Sequence, residues 1–376
     1  MNIILMILGV AVVYFLVVTI YRKNWNKNLD MEVTFQDRQV VRGDYTNLIL
    51  MVSNAKKLPL PVINTKFQLH KSLYFTDKDT NSNITDKTYR NDVFSLGSNQ
   101  RITRKVPVRC MKRGVFKLEN LEIVFNGIFM DEVNVSKKEI NSFITVYPKA
   151  YDVSQLGIVN NRLEGNLTKR KYLFEDKFAH RGIREYNFND NLKLVNWKAS
   201  AKMGRLMVNE YDETMSRNIC ILLNLEKDRE IESEQIYESS IEVASGFANS
   251  LLSKGINVAL ISNGCDVDNK ISVNVNFGQG IAHLRSINTS LARVDTALDN
   301  EEFCNLLSRN KTENNVIYII ISANRQQIVV DKINENFKND TDSIWVVPHF
   351  KGEEVKIDTN LTVLNLEIEQ KSGGMI

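Results

Sequence analysis

The chain begins with a run of nineteen residues that carries no charge. Residues 3–21 read IILMILGVAVVYFLVVTIY. As a helix that rises about 1.5 Å per residue, they extend over roughly 28 Å, which matches the hydrocarbon core of a bilayer. A core helix seldom stays apolar on every face for this long, and the run lacks the basic start and the small-residue cleavage site of a signal peptide. The sequence therefore predicts a transmembrane anchor over residues 1–24.

Basic residues on one flank of this run predict its orientation. Arg22, Lys23 and Lys27 follow the run, and no basic side chain precedes it. The positive-inside rule then places the soluble domains of a single-pass cell-membrane protein in the cytoplasm, with Tyr21 and Trp25 at the membrane interface. The cysteines are too far apart for a C-x-x-C motif, and free thiols agree with a reducing compartment. They are Cys110, Cys220, Cys265 and Cys304.

The rest of the 376-residue chain changes its hydrophobic period once, which predicts an α+β multidomain protein. Between residues 28 and 150, short runs such as "VFKLENLEIVF" alternate apolar and polar residues between turn signals. This pattern is typical of an immunoglobulin-like β-sandwich, in which residues 78–92 would form a polar loop. Residues 151–216 read as a connector and a basic motif. From residue 217 to 370, apolar strands alternate with amphipathic helices, as in an open, mostly parallel, doubly wound α/β domain.

The order of strands and helices in this last segment resembles the von Willebrand factor A fold. In that fold, the loop after the first strand often carries Asp-x-Ser-x-Ser, whose oxygens ligate Mg²⁺. Here the loop has Asn224, Glu226 and Asp228 at the corresponding positions, with Lys227 between the two acids. The hydroxyl groups are missing and an amide replaces the leading acid, so we expect a domain without a metal. A metal-dependent, adhesion-type binding module stays as an alternative.

A basic stretch precedes the α/β segment. Residues 169–205 contain ten basic and four acidic side chains, a local charge of +6. Such a surface attracts acidic proteins, nucleic acid or anionic lipids. Aromatic residues lie between the charges, and Trp197 is expected to pack as an anchor beneath a charged rim. The aromatic residues are Tyr172, Phe174, Phe178, Tyr186, Phe188 and Trp197.

Three interpretations of this stretch stay open. It can form a partner-binding surface, or an internal clamp in which Arg184 and Lys198 pair with Glu185, Asp190 or Glu210. It can also be the site of a cell-envelope enzyme that uses the cluster around Arg184 and Lys198. The sequence contains no G-x-S-x-G, P-loop, H-E-x-x-H or dinucleotide-binding motif, so it indicates no catalytic residue.

The segment "GIREYNFNDNLKLVNWKASAKMGRLMVNEYDET" resembles the signature of the domain-of-unknown-function family numbered 58. Upstream, "KRGVFKLENLEIVF" and "VYP" resemble further motifs of that family, so the resemblance extends over nearly the whole chain. Asn196 stands where the family has an aspartate, and Lys202 where it has an arginine. The candidate partner-binding or structural residues are Arg184, Glu185, Tyr186, Asp190, Trp197, Lys198, Ser200, Lys202, Gly204 and Glu210.

The resemblance implies a function without chemistry. Proteins of that family are membrane-anchored partners of MoxR-type AAA+ ATPases, and no enzymatic activity is established across the family. The resemblance therefore implies a noncatalytic adaptor or scaffold that acts in the assembly or maturation of membrane or envelope proteins. It binds a protein partner, and we expect no cofactor, no nucleic acid and no small-molecule substrate.

Overall fold

The computed structural model describes residues 2–76, 82–84, 87–130, 132–155, 180–187, 190, 192, 195–211, 218–227, 234–296, 300–309, 316–338 and 342–370. The chain divides into two compact units. One comprises Met1–Lys149 with Leu291–Arg293, and we call it the sandwich unit. The other comprises Ala150–Ser290 with Val294–Ile376, and we call it the α/β unit.

The predicted apolar helix is present at the start of the sandwich unit. Helix α1 (Asn2–Asn24) is long enough to cross a membrane, and its most apolar window has a mean hydropathy of 3.0 with no residue buried in the protein. At its end, the rings of Tyr21 and Trp25 stack on Phe125, with centroid distances of 6.1 and 5.8 Å. The amine of Lys56 donates to the carbonyl oxygens of Trp25 and Lys27. Burial lowers the pKa of this amine to about 8. The helix therefore continues directly into a folded domain.

Twelve strands in the described part of the sandwich unit form three sheets, in the orders β1-β3-β8-β5, β11-β10-β4-β7-β6 and β2-β12-β9. Neighbouring strands are antiparallel except β2 and β12. The strands are β1 (Leu29–Phe35), β2 (Gln39–Val41), β3 (Tyr45–Asn54), β4 (Leu60–His70), β5 (Leu73–Phe75), β6 (Ser82–Ile84), β7 (Lys87–Leu96), β8 (Gln100–Cys110), β9 (Gly114–Lys117), β10 (Glu119–Phe125), β11 (Asn134–Lys138) and β12 (Phe143–Tyr147).

Alternating side chains build the core of this unit. Along β3, every second residue is buried, and Leu48, Leu50 and Val52 are 0 % exposed. They join Ile63 and Phe67 of β4 in one apolar cluster, as expected where the inner faces of two sheets pack together. The predicted β-sandwich is confirmed.

A buried ion network lies within the sandwich, where the sequence predicted a polar loop. Residues 82–84 form β6 and residues 87–92 belong to β7, so the loop prediction is wrong there; residues 78–81 and 85–86 lie outside the described part. Arg90 donates to both carboxylate oxygens of Asp92 at 2.6 and 3.1 Å, and both side chains are 0 % exposed. Arg104 donates to the same carboxylate at 2.8 Å. The guanidinium of Arg90 also lies 4.7 Å from the ring centre of Phe75.

The α/β unit contains a two-stranded sheet and a six-stranded sheet in the order β17-β16-β15-β18-β19-β20. Its strands are β13 (His180–Glu185), β14 (Met207–Tyr211), β15 (Asn218–Leu223), β16 (Asn257–Cys265), β17 (Ser272–Gly278), β18 (Val316–Ile321), β19 (Ile344–Phe350) and β20 (Thr362–Ile368). In the described part, its helices are α2 (Trp197–Met203), α3 (Glu234–Ser253), α4 (Gly280–Arg293, whose last three residues are assigned to the sandwich unit), α5 (Phe303–Arg309) and α6 (Gln327–Asn336), with a 3₁₀ turn at Val153–Gln155.

The larger sheet is parallel except at one edge. Strands β15, β16, β18, β19 and β20 pair in parallel, whereas β17 is antiparallel to β16. All six residues of β18 are buried, because helices cover both faces of the sheet. On one face, Leu222 and Trp345 pack against Phe303 of α5 and Ile333 of α6. Helix α3 contacts the same strands and shares no residue with that cluster, so it covers the other face.

Candidate functional site

The family-like segment folds into a small module of a hairpin and a short helix. Strands β13 and β14 pair antiparallel, with Arg184 opposite Val208 and Glu185 opposite Met207. Val195 forms an isolated bridge with Val208, and the side chain of Val208 is only 1 % exposed. A two-stranded hairpin has little apolar surface of its own to bury, so polar contacts have to hold this module together.

Helix α2 is capped at both ends by its own side chains and backbone. Asn196 is the N-cap: its Oδ1 accepts from the Ala199 amide at 3.0 Å, and its Nδ2 donates to Asn209 Oδ1 at 2.7 Å. The side-chain amide of Asn196 therefore caps the helix with its oxygen and bonds to β14 with its nitrogen. At the other end, Gly204 has φ +67° and donates its N–H to the Ser200 carbonyl. A side chain at position 204 would strain this turn.

Ser200 connects the helix to the hairpin. Its hydroxyl donates to the Asn196 carbonyl oxygen at 2.8 Å and accepts from the Met207 amide at 2.8 Å. The backbone N–H of Asn196 in turn donates to the Met207 carbonyl oxygen at 2.8 Å. Because these bonds join the first turn of α2 to the start of β14, they fix the helix on the hairpin.

A bidentate ion pair closes the loop after β13. The guanidinium of Arg184 donates to the two oxygens of Asp190 at 2.6 and 2.7 Å, and the Asn187 amide donates to Asp190 at 2.7 Å. The hydrogen bond from Arg184, followed by that from Asn187, lowers the pKa of Asp190 to about 2. Arg205 forms a second ion pair with Glu185. Arg184 therefore pairs with Asp190, one of the partners that the internal-clamp interpretation offers it.

The outer face of α2 carries the remaining candidates. Trp197 is 69 % exposed and Met203 is 59 % exposed, and Lys198 and Lys202 are exposed beside them. No ion pair involves either lysine among the described residues. The expected packing of Trp197 beneath a rim is thus wrong, whereas the internal pairing of Lys198 stays a prediction, because the side chain of Glu210 lies outside the described part. Trp197 is uncovered because α2 buries no residue, and hydrogen bonds at its caps attach the helix. We call Trp197, Lys198, Lys202 and Met203 the α2 face.

Other candidates are placed differently. Tyr186 follows β13, is half-buried, and donates its amide to the Leu206 carbonyl at 3.0 Å. Glu210 lies in β14, and its side chain is outside the described part. The following predicted residues also lie outside it: Lys169, Arg170, Lys171, Tyr172, Phe174, Glu175, Asp176, Lys177, Phe178, Phe188, Lys193 and Asp228.

Side-chain amides occupy the start of the loop after β15, where the sequence predicted that the metal ligands are missing. Asn224 donates to Ser322 Oγ at 3.0 Å and accepts from Asn263 Nδ2 at 2.9 Å, just beyond the carboxyl ends of β15 and β18. Asn263 Oδ1 accepts from the Leu225 amide at 2.7 Å. Glu226 Oε2 accepts from the Phe303 amide at 3.1 Å. In the described ranges, no group of three or more His, Cys, Asp or Glu side chains could hold a metal.

Sequence reasoning missed most of this amide network. Asn263 and Ser322 are 0 % exposed; Asn263 lies near the carboxyl end of β16, and Ser322 directly follows β18. Polar residues at such positions could have predicted the network, because the carboxyl ends of parallel strands meet at one edge of a sheet, where ligands bind in open α/β folds. Here Asn224, Asn263 and Ser322 at that edge form hydrogen bonds with one another.

We expect replacement of Asp190 by asparagine to open the loop after β13 without unfolding the rest of the α/β unit. The pKa of Asp190 is lowered to about 2, so the folded state binds this proton less tightly than the unfolded chain, whose carboxyl has a pKa of about 3.9. Its contribution is therefore present above about pH 4 and disappears as the pH falls through about 2. Hydrogen exchange of the β13 peptides should speed up in the variant at neutral pH and match the wild type near pH 2. Equal exchange at neutral pH would contradict the clamp.

Comparisons with known proteins add a loose likeness only. No protein-family model and no curated protein matches the chain. A non-cellulosomal cohesin from Archaeoglobus fulgidus is 15 % identical, with 31 % of this chain and 91 % of that chain covered and a TM-score of 0.22. A cohesin module from a Clostridium perfringens glycoside hydrolase is 14 % identical, with 32 % and 95 % covered and a TM-score of 0.23. Trypsin-activated alpha-2-macroglobulin from Escherichia coli is 14 % identical, with 45 % and 9 % covered and a TM-score of 0.24.

Proposed function

We propose that this chain is a noncatalytic, membrane-anchored adaptor that binds an acidic protein surface through the α2 face. The observation that carries the proposal is Trp197, which is 69 % exposed and lies beside the exposed Lys198 on a helix that is capped at both ends. An exposed tryptophan with basic neighbours is typical of a binding hot spot, because the ring supplies contact area and the charges supply orientation.

The neighbouring charges support a role in binding over one in catalysis. Arg184 and Asp190 pair with each other, and Glu185 pairs with Arg205. A general acid or base has to be within reach of a substrate proton and tuned toward neutral pH. Asp190 has its pKa shifted the opposite way, to about 2, and its charge already has a partner.

The identity of the partner rests on the family resemblance. We propose that the chain belongs with domain-of-unknown-function family 58, that its α/β unit is of the von Willebrand factor A type, and that the partner is a MoxR-type AAA+ ATPase. The five parallel strands, with helices on both faces, support the α/β assignment. Arg22, Lys23 and Lys27 after the apolar helix support an anchor with the soluble units in the cytoplasm.

We expect charge reversal on the α2 face to weaken binding of such an ATPase. In the Lys198→Glu/Lys202→Glu variant, two attractive contacts with an acidic surface become repulsive, so affinity should fall about tenfold or more at low ionic strength and less at high salt. Trp197→Ala should cost about 2 kcal/mol, roughly thirtyfold, at either salt concentration. The measurement is capture of the ATPase encoded in the same genome by the detergent-solubilised chain.

A charge-matched control separates the α2 face from general electrostatics. Lys338→Glu/Lys351→Glu changes the net charge equally at exposed positions elsewhere in the α/β unit. Arg184 is unsuitable for reversal, because its loss would also open the loop closed by Asp190. Equal binding by the α2-face variants and the wild type would reject the proposal, provided that the variants keep wild-type hydrogen exchange in β13 and β14.

A further inference from the structure

The loop between β10 and β11 carries an exposed apolar tip. Phe129 is 52 % exposed, Met130 is 72 % exposed and Val133 is 71 % exposed. Gly127 and Met130 have φ values of +70° and +57°, so two residues in the left-handed region shape the loop. A non-glycine residue with positive φ is uncommon, and such positions are held in place by their surroundings. We call Phe129, Met130 and Val133 the loop tip.

The loop tip lies against the apolar helix. The ring centre of Phe129 is 5.0 Å from that of Tyr14, which belongs to the middle of α1. Nearby, Arg22 Nε donates to Glu132 Oε2 at 2.9 Å, so the loop's acidic residue contacts the basic end of the helix. The loop therefore runs beside α1, with its charged part toward Arg22 and its aromatic residue toward the apolar segment.

These two contacts give the loop tip a depth. Tyr14 precedes Arg22 by eight residues, which corresponds to about 12 Å along a helix axis. If α1 crosses a bilayer with Arg22 at the headgroups, Phe129 lies roughly that far toward the bilayer interior. Apolar and aromatic side chains at the boundary of headgroups and acyl chains are typical of interfacial anchors, which reach about 5–10 Å below the surface. The apolar patch is thus continuous with the membrane-spanning surface.

We propose that the loop tip inserts into the bilayer beside α1 and forms a second membrane contact of the sandwich unit. The occupant of this surface is lipid acyl chain, because the patch is contiguous with α1 and has the same apolar chemistry. The inference rests on the membrane anchoring proposed above. It goes further in assigning Phe129, Met130 and Val133 to lipid.

The test measures the depth of a fluorophore on the loop tip. Cys110 and Cys220 are buried, and burial raises the pKa of the Cys110 thiol to about 11, so neither should react readily. With Cys265→Ser and Cys304→Ser as background, Met130→Cys or Val133→Cys gives one accessible thiol for a nitrobenzoxadiazole label. The matched control is Lys71→Cys, an exposed turn residue that follows β4 at the far end from its pairing with Phe125. The full chain is reconstituted in phosphatidylcholine–phosphatidylglycerol vesicles.

We expect lipids with a nitroxide on the acyl chain to quench the labels at positions 130 and 133 several-fold more strongly than the label at position 71. Aqueous iodide should show the reverse order. Suppose that carbonate extraction leaves the chain in the membrane, but iodide quenches the labels at positions 130 and 133 as strongly as the label at position 71. This result would overturn the inference about the loop tip and leave the anchor intact. A label shielded from both quenchers would overturn it in favour of protein contact. Release of the chain by carbonate would reject the anchor and the loop contact together.

Discussion

Replacement of Asp92 by alanine is expected to destabilise the sandwich unit by about 3–5 kcal/mol, because it removes the carboxylate from a buried ion network. Arg90 would keep a charged guanidinium that is 0 % exposed and would lose two hydrogen bonds to Asp92. Taking a charge out of water is costly, and only a close opposite charge offsets this cost. Since domains of this size have a stability of about 5–15 kcal/mol, the variant should lie near the limit of folding.

Hydrogen exchange of the detergent-solubilised chain can isolate this effect. Amides of β4 and β7 should lose protection in the Asp92→Ala variant, while those of β15 and β18 in the α/β unit serve as an internal reference. Arg104→Ala is the matched control: its side chain is 37 % exposed, so its pairing with Asp92 should contribute about 1 kcal/mol or less. A similar loss of protection in both variants would show that the buried pair of Arg90 and Asp92 has no special weight.

Replacement of Asn224 by aspartate is expected to make the stability of the α/β unit depend strongly on pH. Asn224 is 3 % exposed, and a carboxyl buried there without a cation should have its pKa raised by about 3–5 units. The folded variant then binds a proton more tightly than the unfolded chain, so stability decreases as the pH rises above about 4. At about 1.36 kcal/mol per pH unit, the loss reaches roughly 4 kcal/mol at pH 7.

The control for this variant removes hydrogen bonds without adding a charge. Asn224→Ser should cost about 1–3 kcal/mol at every pH, because it leaves parts of Asn263 and Ser322 without their amide partner. Denaturation of the α/β unit followed between pH 4 and pH 8 distinguishes the two. A pH-independent effect of Asn224→Asp would mean that the loop accommodates an anion. If Mg²⁺ made the α/β unit of the wild type more resistant to denaturation, this result would support the metal-dependent alternative instead.

Hydrophobic period predicted the large elements and failed where polar residues occupy buried positions. The buried positions of β7 are Thr88, Arg90, Asp92, Phe94 and Leu96, a period of two in which three of five side chains are polar. Such a strand looks like a loop in a sequence, because the ion pair of Arg90 with Asp92 that allows its burial forms only in the folded state. Strands of three residues, such as β5 and β6, are likewise too short to show a period.

The candidate site was predictable in its residues and not in its arrangement. Opposite charges in one short segment suggested that Arg184 is an internal clamp, and Asp190 was among its possible partners. The sequence could not show that Trp197 and Lys198 point away from that clamp. A tryptophan in a helix is buried only if another element covers it, and in α2 the capping bonds of Asn196 and Ser200 make such cover unnecessary.

The junction between α1 and the sandwich unit has a mechanical consequence. Because Tyr21 and Trp25 stack on Phe125 and Arg22 contacts Glu132, side-chain contacts hold the end of the helix against its domain. A membrane-spanning helix tilts when the thickness of the bilayer changes. If α1 spans a membrane as proposed, a joint of this kind transmits the tilt, so the lipid composition would set the angle between the sandwich unit and the bilayer.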